Sequence, residues 1–93
     1  MAAELISVMN PATGKLIQEV TVDTPERVES IVNRVRANQP AWEALGFKGR
    51  RDWLNELRDW ILDNSERILD TMQAETGKVR ADASNEPAYL TDL

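Results

Sequence analysis

FKGRRDWLNELRDWILDNSERILDTMQAETGK, residues Phe47 to Lys78, decides the fold of this 93-residue chain. Stepped at about 100° per residue from Trp53, the side chains of Trp60, Leu57, Ile68, Ile61, Leu54 and Met72 share an arc of roughly 120°. Leu62 and Leu69 widen that arc at one edge, and Asp52, Glu56, Asp59, Asp63, Glu66 and Asp70 collect on the other side. Period-2 alternation is absent and the segment is too long for one strand, so it reads as helix. Asn64-Ser65 interrupts it, because both residue types favour caps over helix interiors; two collinear helices or one kinked helix satisfy the pattern. An apolar stripe this wide, carrying two tryptophans, has to be covered. The rest of the chain offers one further amphipathic helix and a short hairpin, too little to do so. The sequence therefore reads as a piece of something larger.

Working outward, Thr24-Pro25-Glu26 has the marks of a helix start: a capping hydroxyl, a proline at the first helical position and an acid at the positive end of the dipole. Val28, Ile31, Val32 and Val35 follow at i, i+3, i+4 and i+7, with Arg34 and Arg36 off the stripe. Pro40 ends or kinks this helix; Trp42 lies on the same stripe, which favours a kink. Gly46 and Gly49 mark the link to the long helix, and the spacing predicts an antiparallel αα-hairpin of residues 24–45 and 47–77. Upstream, residues 5–22 read as a β-hairpin with apolar arms Leu5, Ile6, Val8 and Leu16, Ile17, Val20, Val22 around the turn Asn10-Pro11-Ala12-Thr13-Gly14-Lys15. Such a ribbon is marginal alone. Downstream, Gly77 suits the left-handed position that closes a helix. Residues 82–93 start a further helix, with Pro87 in its first turn and Tyr89, Leu90 and Leu93 on its apolar side. The fold class is α+β, mostly α, a single partial domain over residues 1–93. It runs from a β-hairpin through an antiparallel pair of long helices to the start of another.

Sixteen acidic residues against eleven Lys and Arg give a net charge of −5, which argues against nucleic acid and anionic membrane as partners. With no cysteine and no histidine, the chain supplies no thiol nucleophile and lacks the usual general base and commonest metal ligand. The start, Met1-Ala2-Ala3-Glu4-Leu5, lacks a basic region and a long apolar run, and no stretch approaches a membrane span. The expected setting is cytoplasmic.

The acidic side of the long helix reads as a solvated face, relieved in part by Lys48 and Arg67. Trp53 and Trp60, two turns apart, read as core. Arg50 and Arg51 oppose the dipole at the helix start and read as a surface pair or as ion-paired to the preceding loop. Thr76-Gly77-Lys78 is not a phosphate loop: Met72 stands where the first glycine belongs, Val79 follows the lysine, and a helix C-terminus repels phosphate. The residue chemistry offers no catalytic, cofactor-binding or metal-ligating set.

The order of these signals resembles the N-terminal part of the aldehyde dehydrogenase superfamily, over roughly Ile6 to Leu93. The resemblance is carried by Asn10-Pro11-Ala12-Thr13-Gly14, Thr24-Pro25-Glu26, Gln39-Pro40-Ala41-Trp42, Arg50 and Arg51 at the long helix's start, Glu75-Thr76-Gly77-Lys78 at its end, and Glu86 beyond. It implies a parent several times longer, a homo-oligomer that oxidises aldehydes with NAD or NADP. In such enzymes a cysteine thiolate attacks the aldehyde carbon, an asparagine side chain and a backbone amide hold the oxyanion, and a glutamate activates the hydrolytic water. All of those residues, and the Rossmann-like core, lie beyond Leu93 in the family pattern, so none transfers to this chain. Some members hold a structural monovalent cation; Met9 and Glu86 are the nearest matches, an incomplete set that defines no site here. The partners implied are the remainder of the polypeptide and, for the whole enzyme, an aldehyde. The competing reading is a free-standing helical-hairpin interaction module that binds through the Trp53–Trp60 side. A third is a dimer in which two copies cover each other's stripe.

Overall fold

The computed structural model describes residues 3–92. Met1 and Ala2, at the start of the chain, and Leu93, assigned to the last helix, lie outside the described residues. The fold is mostly helical behind an N-terminal antiparallel hairpin: β1 (Leu5–Met9), β2 (Leu16–Thr21), α1 (Pro25–Ala44), α2 (Gly46–Asp63), α3 (Ser65–Thr76), α4 (Arg80–Ala83) and α5 (Asn85–Thr91).

In the hairpin Leu5 faces Thr21 and Val8 faces Gln18, but Met9 faces Leu16, so Ile17 is the extra residue of a β-bulge. Asn10 builds the turn: its Oδ1 accepts from the Ala12 and Thr13 amides at 2.9 and 3.1 Å, and its own amide donates to Lys15 O at 2.8 Å. Such Asx geometry is why asparagine outperforms most residues here. The sheet has only these two strands among the described residues, and Leu5, Ile6 and Leu16 are exposed.

Thr24 caps α1 through Oγ1, which accepts from the Arg27 amide at 3.2 Å, with Pro25 at the first helical position. Replacing Thr24 with alanine is expected to cost about 1 kcal/mol. The loss should show as faster amide exchange over the first turn of α1, while that of α3 stays unchanged. The helix runs through Pro40 to Ala44.

The expected packing of α1 along α2 is not found. No residue of α1 is buried, and Val28, Val32 and Val35 stay exposed, Val35 at 62%. The reason is the link. Gly46 and Gly49, read as connection, both lie inside α2, which leaves Leu45 as the one residue between the helices. Antiparallel helix pairs need a loop of about 2–5 residues. The helices meet instead at a tight corner. Gly46 takes φ +70 there, and a Cβ on Gly49 would stand 2.9 Å from Leu45 Cβ.

Asn64 divides the long stretch at φ −106, ψ 16. Its amide and its Nδ2 both donate to Trp60 O, at 2.9 and 2.8 Å, closing α2 as α3 begins. Beyond Gly77 the chain turns helical at Arg80, two residues earlier than expected, and in two pieces that meet at Ser84. Here α4 lies on α3 and α5 on α2. Among the described residues the buried apolar ones, Ile61, Leu69 and Ala83, all sit where these four helices meet.

Candidate functional site

Two places concentrate what this chain can do: a corner that joins two turns, and an open apolar face. At the corner, Thr76 Oγ1 donates to Met72 O at 2.6 Å and accepts from the Lys78 amide at 3.2 Å, so one hydroxyl ties the last helical turn to the residue beyond it. Gly77 closes α3 at φ 72, its amide donating to Gln73 O at 3.0 Å. A Cβ on Gly77 would lie 3.4 Å from Pro11 Cγ. The structure thus seats the Asn10–Lys15 turn against the end of α3, bringing together two of the motifs picked out in the sequence.

Beside it, Lys78 Nζ pairs with Glu86 Oε1 across the start of α4. The hydrogen bond to Glu86, then the charge of Glu86, hold the ammonium above its ordinary 10.5, with Asp82 adding to the effect. A group whose folded pKa is raised stabilises the fold fully below its unfolded value and loses that contribution as pH rises through the folded one. The pair therefore acts at neutral pH and fades only above the ordinary lysine range. A titration of Lys78 followed by NMR should move down towards 10.5 in Glu86→Gln; an unmoved midpoint would refute the pairing.

Arg80 is the residue the sequence reading missed. Its Nη1 donates to Asp70 Oδ1 and to Gln73 Oε1, both at 2.7 Å, and its Nη2 pairs with Glu66. The Asp70 hydrogen bond is the main reason its pKa is raised. The signal was present: Glu66, Asp70 and Gln73 stand at i, i+4 and i+7 on one face of α3, a column of acceptors awaiting a forked donor. The acidic side of α2 and α3 is therefore more than a solvated face. Lys48 meets Asp52 at 3.0 Å, Arg58 meets Asp59 at 3.5 Å, and Arg80 gathers Glu66 and Asp70. Arg50 does not ion-pair with the preceding loop; its Nη1 donates to Glu43 O at 2.9 Å, capping the end of α1, and its guanidinium lies 4.9 Å from the centre of the Phe47 ring. Arg51 keeps a loose 3.8 Å contact with Asp52.

The open face belongs to α2. Trp53 is 58% exposed and Trp60 51%, with Leu54 and Leu57 exposed between them. Within this chain the two tryptophans are not core. The apolar arc exists as read, but α5 is short and covers only its edge, at Ile61 and Leu69.

No group of three or more acidic, histidine or cysteine side chains that could hold a metal occurs among the described residues. Met9 pairs with Leu16 in the hairpin and Glu86 is engaged by Lys78. The Gly77-Lys78 pair is no seat for the pyrophosphate of a nicotinamide dinucleotide. The Gly-Lys pair closes a helix C-terminus, whose dipole is negative, where a pyrophosphate needs the positive end. No helix among the described residues is long and apolar enough to cross a membrane.

A hairpin thus feeds a run of helices, pinned at a turn-on-turn corner and carrying an apolar face left uncovered among the described residues. The family is shown by comparison: the model of the aldehyde dehydrogenase family matches residues 1–93, and the chain belongs to that family as an N-terminal segment. It is 34% identical over 84% of its length to a putative succinate-semialdehyde dehydrogenase [NADP(+)] of Mycobacterium ulcerans, covering 15% of that protein. It is 33% identical over 97% of its length to the glutarate-semialdehyde dehydrogenase of Pseudomonas aeruginosa, covering 19% of it. With the lactaldehyde dehydrogenase of Escherichia coli the identity is 30% over 94% of the chain and 18% of the relative. The chain thus spans less than a fifth of these relatives. No solved structure gives a significant match.

Proposed function

We propose that this chain is the N-terminal part of an NAD(P)-dependent enzyme that oxidises an aldehyde to the carboxylic acid through a cysteine thiohemiacetal. The thiol and most of the cofactor site belong to polypeptide outside these 93 residues, which contain no cysteine. The role of this segment is to dock. The observation that carries the reading is the exposed face of α2, with Trp53 and Trp60 each more than half exposed. A contiguous apolar patch of this kind marks a surface built to meet other protein. In this reading that protein is the remainder of the same polypeptide, which the family match and the chain's small share of its relatives support. The reading includes a homo-oligomeric parent, which the family likeness supports, and a cytoplasmic setting.

The test uses the chain as it stands. Mixed with aldehydes and NAD or NADP, it should transfer no hydride, and cofactor titration should not saturate. Turnover by the chain alone overturns the placement of the chemistry. Sedimentation and thermal melting separate the docking reading from a free-standing interaction module. A monomer that melts cooperatively supports the module; aggregation or a broad, non-cooperative melt supports the segment. A melting temperature that climbs with concentration would indicate two copies covering each other.

A further inference from the structure

We propose that α4 and α5 form a flap held over Ile61 and Leu69 by an ionic strap centred on Arg80, so that the flap opens as salt is added. The argument starts from length. At four and seven residues, neither helix is stable by itself, since isolated helices shorter than about 12 residues are marginal in water. They persist through what they touch. Their apolar hold is small: Ala83 is fully buried, Ile61 and Leu69 are covered, but Tyr89 and Leu90 remain exposed. Beside it stands a polar hold. Arg80 is the first residue of α4 and reaches Glu66, Asp70 and Gln73 on α3. Two residues earlier, Lys78 reaches forward to Glu86 in α5. One cation fixes the flap's root to α3 and the other fixes α5 to that root.

A forked arginine on three acceptors loses less side-chain freedom per bond than an isolated surface pair, so this strap outweighs an ordinary exposed contact. It remains exposed enough for salt to reach it, with the Glu66 side chain 82% and that of Asp70 72% accessible. Screening weakens such contacts, whereas apolar burial is left unchanged or strengthened by salt. The two kinds of hold therefore respond with opposite sign.

Hydrogen exchange on the 93-residue chain reads the difference. The reporters are the amides of Ala83, Ser84 and Ala88, which donate to Val79 O, Arg80 O and Ser84 O. Between low salt and about 1 M sodium chloride their exchange should speed up about fivefold. The Asn64 amide, bonded to Trp60 O in the long-helix break, should not follow. In Arg80→Gln the flap amides should exchange fast at low salt and ignore added salt. Arg80→Lys, a cation without the fork, should fall between. Exchange in the wild type that is flat or slowed by salt, or an Arg80→Gln variant as protected as the wild type, overturns the strap. So does a flap with no protection at low salt, or a salt response that the Asn64 amide shares.

Discussion

Truncation of Leu69 to alanine should remove about 2–3 kcal/mol, the lower half of the range for buried leucines. That is a large share of the ~5 kcal/mol at the low end of what a small domain commands. The expectation is strong because Leu69 is one of the buried apolar residues on which the helical part closes, together with Ile61 and Ala83. The lower half applies because the neighbouring groove, lined by Leu62, Ser65, Pro87 and Ala88, opens to solvent, so the flap can settle into part of the vacated space. Leu62→Ala is the matched control. It deletes the same atoms seven residues earlier, from a side chain that is exposed, and should cost no more than about 0.5 kcal/mol. Exchange of the Ile68 and Ala83 amides, which donate to Asn64 O and Val79 O beside the cluster, compares the two without requiring a cooperative melt. Equal losses would mean that the Ile61–Leu69–Ala83 cluster is not what closes these helices.

That contrast between two leucines of one helical arc marks what the sequence can and cannot convey. Periodicity places Trp53, Leu57, Trp60 and Ile61 on one side of α2, because a helix has a fixed angular step. It does not say what covers them, since cover is a property of the neighbours. Reading the tryptophans as core was sound for a complete domain, and it fails in a chain whose own α5 reaches only the edge. Local punctuation was legible for a different reason. Thr24, Asn64 and Gly77 act on backbone groups within four residues of themselves, so their effect needs no knowledge of the fold. The corner between α1 and α2 was not legible. The two glycines suggested a loop, yet Gly46 can open a helix at positive φ and Gly49 can admit Leu45 against its bare Cα, and that shortened the link to one residue. Arg80 was missed because its partners lie 7, 10 and 14 residues back, across a turn whose geometry had to be known first.

Gly77→Val should cost about 2 kcal/mol or more, and the cost should come in two separable parts. The first is backbone. At φ 72 the residue is in the left-handed region, which burdens an L-residue by about 1–2 kcal/mol and a β-branched one most. The second is the neighbour. A Cβ alone would come to 3.4 Å from Pro11 Cγ, the close edge of van der Waals contact, so the added methyls of valine must push the hairpin turn away from α3. A series distinguishes the parts. Asparagine tolerates the left-handed conformation and should cost least; alanine carries the backbone burden alone; valine carries both. Chemical shifts of Asn10 to Lys15 report the second part and should move substantially only in valine. If asparagine is as damaging as valine, backbone conformation is not the constraint at Gly77. If the Asn10–Lys15 shifts ignore valine as well, the turn is not seated on the end of α3. The hairpin would then be tethered to the helices only through the chain leading into α1, and the turn-on-turn corner would have no part in presenting the docking face.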